Sequence, residues 1–299
     1  MLTGGYNGGK ALNSSMVFPT NCDVPNMTTC LTEHVTFLTQ DVPPHVASCG
    51  GFQDNVETKK CVVLKNGAWS NDLLDDLPDY RSLSASVRLN AGVFILGGAQ
   101  TTTTSLFLPA GTRTWVSGPK LREEMNVGLC AAPISSHSFL IVNNKDVREF
   151  DIWEAGVTSP AGWKPQGRWP QLQVWRRSSG CAVLKTKFFV AGGYNMEGYT
   201  LKSTEIIDIE QRTIHFASEL QNPRFEFHLL VISANLYALG GRHFDLSNGY
   251  DYVADVEEFI QETETWEPTN KNLSAGRYEF GGVVIDRDLV CGQEEAELP

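Results

Sequence analysis

The feature that most constrains this chain is a Gly pair that ends a short apolar run and returns along its whole length. It is cleanest in Phe188-Phe189-Val190-Ala191-Gly192-Gly193. Met1-Leu2-Thr3-Gly4-Gly5, Ala47-Ser48-Cys49-Gly50-Gly51, Phe94-Ile95-Leu96-Gly97-Gly98 and Leu236-Tyr237-Ala238-Leu239-Gly240-Gly241 repeat it. Phe139-Leu140-Ile141-Val142-Asn143-Asn144 and Asp288-Leu289-Val290-Cys291-Gly292 are degenerate copies. Taking the last residue of each, the marks fall at 5, 51, 98, 144, 193, 241 and 292, in steps of 46, 47, 46, 49, 48 and 51. A fixed period of this size is the signature of a repeat architecture, in which neighbouring units bury one another's faces.

Each period has the same internal order. A polar loop follows the doublet, then a strand, a turn and a second strand carrying an aromatic. Trp69, Trp115, Trp163 and Trp266 hold that aromatic place. A Leu/Pro-rich link with an Arg leads to a small-residue strand and the next doublet. Short strands with turn residues at regular spacing argue for an all-β chain. Four such strands cannot bury both faces alone, so radial stacking is expected, with one aromatic filling each gap between units.

Composition narrows the partners. With 299 residues, 41% of them hydrophobic, the chain can bury a large core as one domain spanning 1–299. Net charge is −11, and Glu294-Glu295-Ala296-Glu297 adds carboxylates near the end. Basic residues are scattered, which argues against nucleic acid. No apolar stretch has the length to span a bilayer.

Here a resemblance becomes specific. A Gly-Gly doublet after an apolar strand, an aromatic about 16–25 residues on and an Arg before the next inner strand resemble the kelch repeat. The doublets at 50–51, 97–98, 192–193 and 240–241, with the four Trp, carry it most strongly. Asn143-Asn144 is its weakest point, and no BTB-like or BACK-like helical segment precedes the repeats in this chain. The resemblance implies a kelch-type β-propeller. Six blades are expected, the ring closed by strands from both ends. In that case Leu289-Val290-Cys291, a doublet-type strand, duplicates Met1 to Gly5 and one of the two is displaced. Seven blades with incomplete terminal ones are the alternative.

The same resemblance places the loops after the doublets and the loops entering the inner strands on one face, around the central channel. Tyr194, Asn195, Tyr199, Arg242, His243, Tyr250 and Tyr252, with Asn248 in the longest loop, are candidate partner contacts from the first set. Arg224 and Arg277, within the parallel phrases Arg224-Phe225-Glu226-Phe227 and Arg277-Tyr278-Glu279-Phe280, come from the second. Tyr and Arg anchor interfaces because they bury much area with a polar handle. An Arg recurring once per unit can equally be a structural link.

Seven Cys are present. Cys22 with Cys30 and Cys49 with Cys61 are close enough in sequence for local disulfides if the chain is exported. Cys130 and Cys181 occupy equivalent inner-strand positions, where a cross-blade disulfide and two buried thiols are both open readings. Cys291 has no obvious partner. Sequons at Asn13, Asn26 and Asn272 also point to export, and the close Cys pairs resemble those of exported kelch proteins. Met1 already sits in a strand, so a secreted protein with an incomplete N-terminus is expected, and a cytoplasmic one is the alternative.

Function follows from what the loops carry. A non-catalytic scaffold binding a protein or peptide is expected, with a glycan also open and no cofactor or metal. The rival is a galactose-oxidase-like or glycan-active enzyme, since that family shares the kelch-type propeller. Copper requires converging imidazoles. The six His stand at 34, 45, 137, 215, 228 and 243, none adjacent, with His228 and His243 the nearest to a pair. No nucleophile elbow, His-Glu-x-x-His or phosphate loop occurs.

Overall fold

A computed structural model describes all residues except 20–21, 101–102, 122–127, 153–161, 166, 246–248, 287 and 292–299. The mark at Gly292, the terminal Glu cluster and Asn248 lie outside the described residues. Among those described, the chain is almost wholly antiparallel β, arranged as a kelch propeller. Six sheets of three or four strands hold the repeats, and one three-stranded and one two-stranded sheet lie in the loops.

Each of the six sheets has a doublet strand near its middle: Leu2–Thr3, Val46–Cys49, Gly92–Leu96, Ser138–Asn143, Lys187–Ala191 and Asn235–Leu239. On its inner side each pairs with Gly281–Gly282, Val35–Leu38, Ala85–Leu89, Cys130–Pro133, Gly180–Leu184 or His228–Ile232 respectively. Leu2–Thr3 pairs with Gly281–Gly282, so strands from both ends of the chain share one sheet. Met1 and Val283 add a reciprocal pair of backbone bonds beside it.

That shared sheet explains a departure from the expected strand at Leu289–Cys291. The place is already filled by Leu2–Thr3. Asp288–Cys291 is instead a helical turn, and Leu289 and Val290 pack beside Met1 and Val17.

The core is divided among the gaps between sheets. In Lys187–Ala191, Phe188 and Val190 face a cluster with Val142 and Cys130 of the preceding sheet. Phe189 and Ala191 face Leu236, Phe259 and Trp266 of the next. Successive side chains on a strand point to opposite faces. A strand buried on both faces therefore reads as an unbroken apolar run. Each repeat Trp also ties one sheet to its predecessor. The indole N–H of Trp69 donates to Pro25 O (2.9 Å), that of Trp115 to Asp75 O (3.1 Å), and that of Trp266 to Thr204 Oγ1 (2.9 Å).

The doublet and the Arg form one device. Arg81, Arg176, Arg224 and Arg277 are wholly buried, at 2% exposure or less. Each donates through Nη1 to the carbonyl of the first Gly of its own sheet: Gly97, Gly192, Gly240 and Gly4, at 2.7–3.3 Å. The carbonyl of the Arg accepts from the second Gly of the preceding sheet. Gly193 N–H reaches Arg224 O at 2.8 Å, Gly241 reaches Arg277 at 2.7 Å, and Gly51 reaches Arg81 at 2.6 Å. The doublet glycines hold left-handed φ values, and a Cβ on Gly192 would stand 2.4 Å from Arg224 O. In the degenerate fourth doublet, Asn144 takes the left-handed conformation (φ 58), which Asn tolerates best among residues with a Cβ.

Candidate functional site

The residue two places after each buried Arg sits at a corner where the chain enters an inner strand. Leu83, Ser178, Glu226 and Glu279 occupy this corner, and Glu33 and Gly128 occupy it in the two remaining sheets. All six have positive φ, between 50 and 72. The corners are strung together around the channel. Leu83 N–H donates to Glu33 O, Ser178 to Gly128 O, Glu226 to Ser178 O, and Glu33 to Glu279 O, at 2.8–3.1 Å. A left-handed turn at a non-Gly residue costs about 1–2 kcal/mol, and here these ring hydrogen bonds offset it.

Three neighbouring corners carry carboxyl groups: Glu226, Glu279 and Glu33. All three line a central cavity of about 250 Å³, whose other mouth residues include Leu83, Gly128 and Ser178. Burial, and then Glu226, push the Glu33 carboxyl up to about 7. Burial also raises the carboxyls of Glu226 and Glu279.

Arg242, the residue after the sixth doublet, lies over this acidic arc. Its Nε is 2.7 Å from Glu226 and its Nη2 is 3.3 Å from Glu279. Its guanidinium stacks over Tyr278 at 4.1 Å, Tyr250 at 4.9 Å and Phe225 at 5.0 Å. The backbone places it there, because Phe225 and Arg242 exchange both hydrogen bonds across the sheet entrance. Equivalent bridges join Arg177 to Tyr194 and Tyr278 to Tyr6.

Around Arg242 the loops rise as an aromatic rim. The loop after the sixth doublet forms a hairpin, Arg242–Asp245 with Gly249–Tyr252. Tyr250 and Phe244 stand on it, 51% and 43% exposed, their rings 5.1 Å apart. Tyr252 stacks on Tyr278 at 5.4 Å, and Tyr278 meets Tyr6 at 5.6 Å. On the neighbouring loop Tyr194 packs edge-on against Phe225, and Met196 and Tyr199 are among the most exposed apolar side chains. Asn195 organises that loop, its Oδ1 accepting from the N–H groups of Glu197 and Tyr199.

The structure therefore brings Tyr194, Asn195, Tyr199, Arg242, His243, Tyr250 and Tyr252 to loops of one face. Arg224 and Arg277 do not join them. They are 0% and 2% exposed, and their guanidinium groups are spent on Gly240, Asp255 and Glu257, and on Gly4 and Ser14. Glu33, Glu226 and Glu279, which line the channel mouth, are not among the residues singled out from the sequence. The shared phrase around Glu226 and Glu279 was their one signal.

Deeper in the channel, Thr3, Thr36, Ser48 and His34 form a buried hydroxyl–imidazole cluster with contacts of 2.8–3.3 Å. Burial and the nearby His228 push the His34 imidazolium down to about 3. His228 Nε2 meets Phe280 O at 2.8 Å, while His243 stands on the hairpin 4.0 Å from Asp251. Among the described residues, no group of three or more His, Cys, Asp and Glu is placed to hold a metal ion.

The cysteines pair as Cys22–Cys291, Cys49–Cys61 and Cys130–Cys181, and Cys30 is free. The expected closeness of Cys22 and Cys30 is thus corrected. The displaced terminal turn carries Cys291 to Cys22, with Cα atoms 5.6 Å apart. Asn13, Asn26 and Asn272 are all exposed.

Comparison with known proteins agrees with this geometry. Residues 176–218 match the Kelch motif. Over 109 residues, 36% of this chain and 28% of the relative, the sequence is 30% identical to an F-box/kelch-repeat protein of Arabidopsis thaliana. It is 26% identical over 117 residues, 39% of this chain, to Kelch-like protein 26 of Danio rerio, covering 19% of that protein. It is 36% identical over 75 residues, 25% of this chain and 11% of the relative, to an influenza virus NS1A-binding protein homolog of Xenopus laevis. The chain covers less than a third of the length of these relatives. The matches support the kelch-repeat family for this chain.

Proposed function

We propose that this chain is a six-bladed, non-catalytic scaffold that docks a protein or peptide segment on the doublet face of its channel. The observation that carries the reading is the exposed rim of Tyr199, Met196, Phe244 and Tyr250 around the caged Arg242. Large aromatic side chains at the surface bury much area at little entropic cost, and such anchors dominate interface energetics. One relative is named as an NS1A-binding protein homolog, which agrees with a binding role. The test is affinity capture with the intact chain beside a Phe244→Ala/Tyr250→Ala variant. The variant should lose captured partners by at least about tenfold, the loss typical of truncating an interface anchor. An unchanged captured set would remove the rim from the reading.

We also infer an oxidising, extracytoplasmic setting. Three disulfides and three exposed sequon asparagines support it. Peptide mapping of the purified natural protein checks it. Glycan on Asn13, Asn26 or Asn272 is expected, and six thiols all open to alkylation without reductant would reverse it.

A further inference from the structure

We propose that the channel mouth receives a Lys or Arg side chain from the docked segment, held by the carboxyl groups of Glu33, Glu226 and Glu279. The inference rests on the docking face argued above and gives that face its chemistry.

Carboxyls outnumber the cation that pairs with them at the channel mouth. Three carboxyls stand on consecutive corners of the ring, and all three line the cavity. Arg242 pairs with two of them, Glu226 and Glu279, and its single charge can neutralise only one. Those two side chains are 12% and 14% exposed, so water screens them little, and burial favours a proton on a carboxyl that Arg242 does not neutralise until a cation takes its place. Glu57 lies close enough to act on Glu33, which adds to the negative side.

Arg242 itself is poorly placed to attract an anionic partner. Its guanidinium is sandwiched by Tyr278, Tyr250 and Phe225 and committed to Glu226 and Glu279. An acidic side chain approaching it would face the carboxyls already there. A cationic one finds the complementary charge, and like-charge juxtaposition excludes the wrong partner more strongly than attraction favours the right one.

Two further features fit a long cationic side chain. The exposed rings of Tyr250 and Phe244 at the entrance can cover an aliphatic stem or stack on a guanidinium. Beneath the mouth, His34 is 5% exposed and lines the same cavity, and its Nδ1 is buried without a hydrogen-bond partner. A neutral imidazole nitrogen can accept a hydrogen bond from a cationic donor.

The protonation of the arc makes the inference testable. The groups that face these carboxyls are one another, Arg242, Glu57 and Tyr278, with His34 and His228 in the wall below. Burial leaves the carboxyls holding protons at a pH where free ones would not. An entering cation favours their charged form and displaces those protons. Affinity should therefore rise with pH across the neutral range.

The experiment pans a random peptide library against the intact chain and measures resynthesised peptides by fluorescence anisotropy. Peptides enriched in Lys or Arg are expected, binding more tightly at about pH 8.5 than at about pH 6. A Glu33→Gln/Glu226→Gln/Glu279→Gln variant, shown folded by its thermal melt, should weaken them about tenfold or more, and replacing the peptide's basic residue by Gln should cost as much. Recovered peptides that are acidic or lack a basic residue overturn the inference. So does an affinity indifferent to the three substitutions. If Phe244→Ala/Tyr250→Ala abolishes binding while the Gln variant does not, the docking face stands and the cation pocket falls. A library yielding only peptides indifferent to both variants, or none, removes both.

Discussion

Arg176 and Glu205 meet at 2.9 Å with neither side chain reaching solvent. The carboxylate also accepts from the backbone N–H groups of Gln173 and Val174, so the pair clamps the link that leads into the next inner strand. Arg224 and Glu257 repeat the arrangement at 2.5 Å, with Gln221 and Asn222 as the backbone donors. These pairs join a link, a doublet and an outer strand within one sheet. The surface loops rest on that joint.

Arg224→Ala should therefore behave as a folding defect. Removing one partner of a buried, hydrogen-bonded ion pair leaves the other charge without compensation, at a cost of about 3–5 kcal/mol. Urea denaturation should show that loss for Arg224→Ala and a comparable one for Glu257→Ala. The double variant should cost less than the sum of the two. A normal unfolding midpoint for Arg224→Ala would return this residue to the list of partner contacts.

The doublet offers a cleaner contrast, because one chemical change can be placed in two surroundings. Gly192 and Gly198 both have left-handed φ, 61 and 86. Around Gly198 an added Cβ meets nothing within 4 Å, whereas at Gly192 it stands 2.4 Å from Arg224 O. Gly198→Ala should cost only the backbone strain, about 1–2 kcal/mol. Gly192→Ala should cost distinctly more, because the inter-sheet bond from Gly193 to Arg224 must shift as well. Thermal melts of the two variants check the order.

Why the radial fold is legible in the chain, and its site less so, follows from these contacts. Doublet, Trp and Arg recur because most sheets use the same hinge, the same filler and the same clamp. Depth is not written in the sequence, so Arg224 and Arg277 resemble interface anchors until their burial is seen. The corner residues are harder still. A left-handed turn at Glu has no strong local code, and Leu31 stands where an Arg would have marked Glu33 as the third member. The pairing of Cys22 with Cys291 spans 269 residues and depends on where the displaced terminal turn lands.

The acidic arc and the channel histidines should act on stability in opposite senses. Glu33 is raised from 4.5 to about 7, and Glu226 and Glu279 are raised as well. Above 4.5 the unfolded chain loses these protons first, so the folded state binds more of them and stability falls as pH rises through about 7. His34 and His228 are lowered by burial. Below 6.5 the unfolded chain takes up protons that the folded one refuses, so stability falls again toward about 3. The melting temperature should peak on the mildly acidic side of neutrality. Glu33→Gln should flatten the alkaline limb alone, and an unchanged alkaline limb would show that Glu33 ionises normally.

The ring closes where the two ends of the chain meet. Leu2–Thr3 and Gly281–Gly282 close it through a two-residue pairing, a short seam to hold the two ends of the chain together. Cys22–Cys291 adds a covalent tie beside that seam. Met1, Val17, Leu289 and Val290 pack around it, so the tie also fixes an apolar cluster. Cross-links that close long loops restrict the unfolded chain most, and about 2–4 kcal/mol is typical. Cys49–Cys61 closes a separation of only 12 and joins residues already paired in register. Cys22→Ser/Cys291→Ser should therefore lower the melting temperature more than Cys49→Ser/Cys61→Ser does once their packing losses are matched by Ala controls. Non-reducing peptide mapping should find 22 joined to 291. A 22–30 linkage would mean that the terminal turn does not dock, and the destabilisation should then vanish.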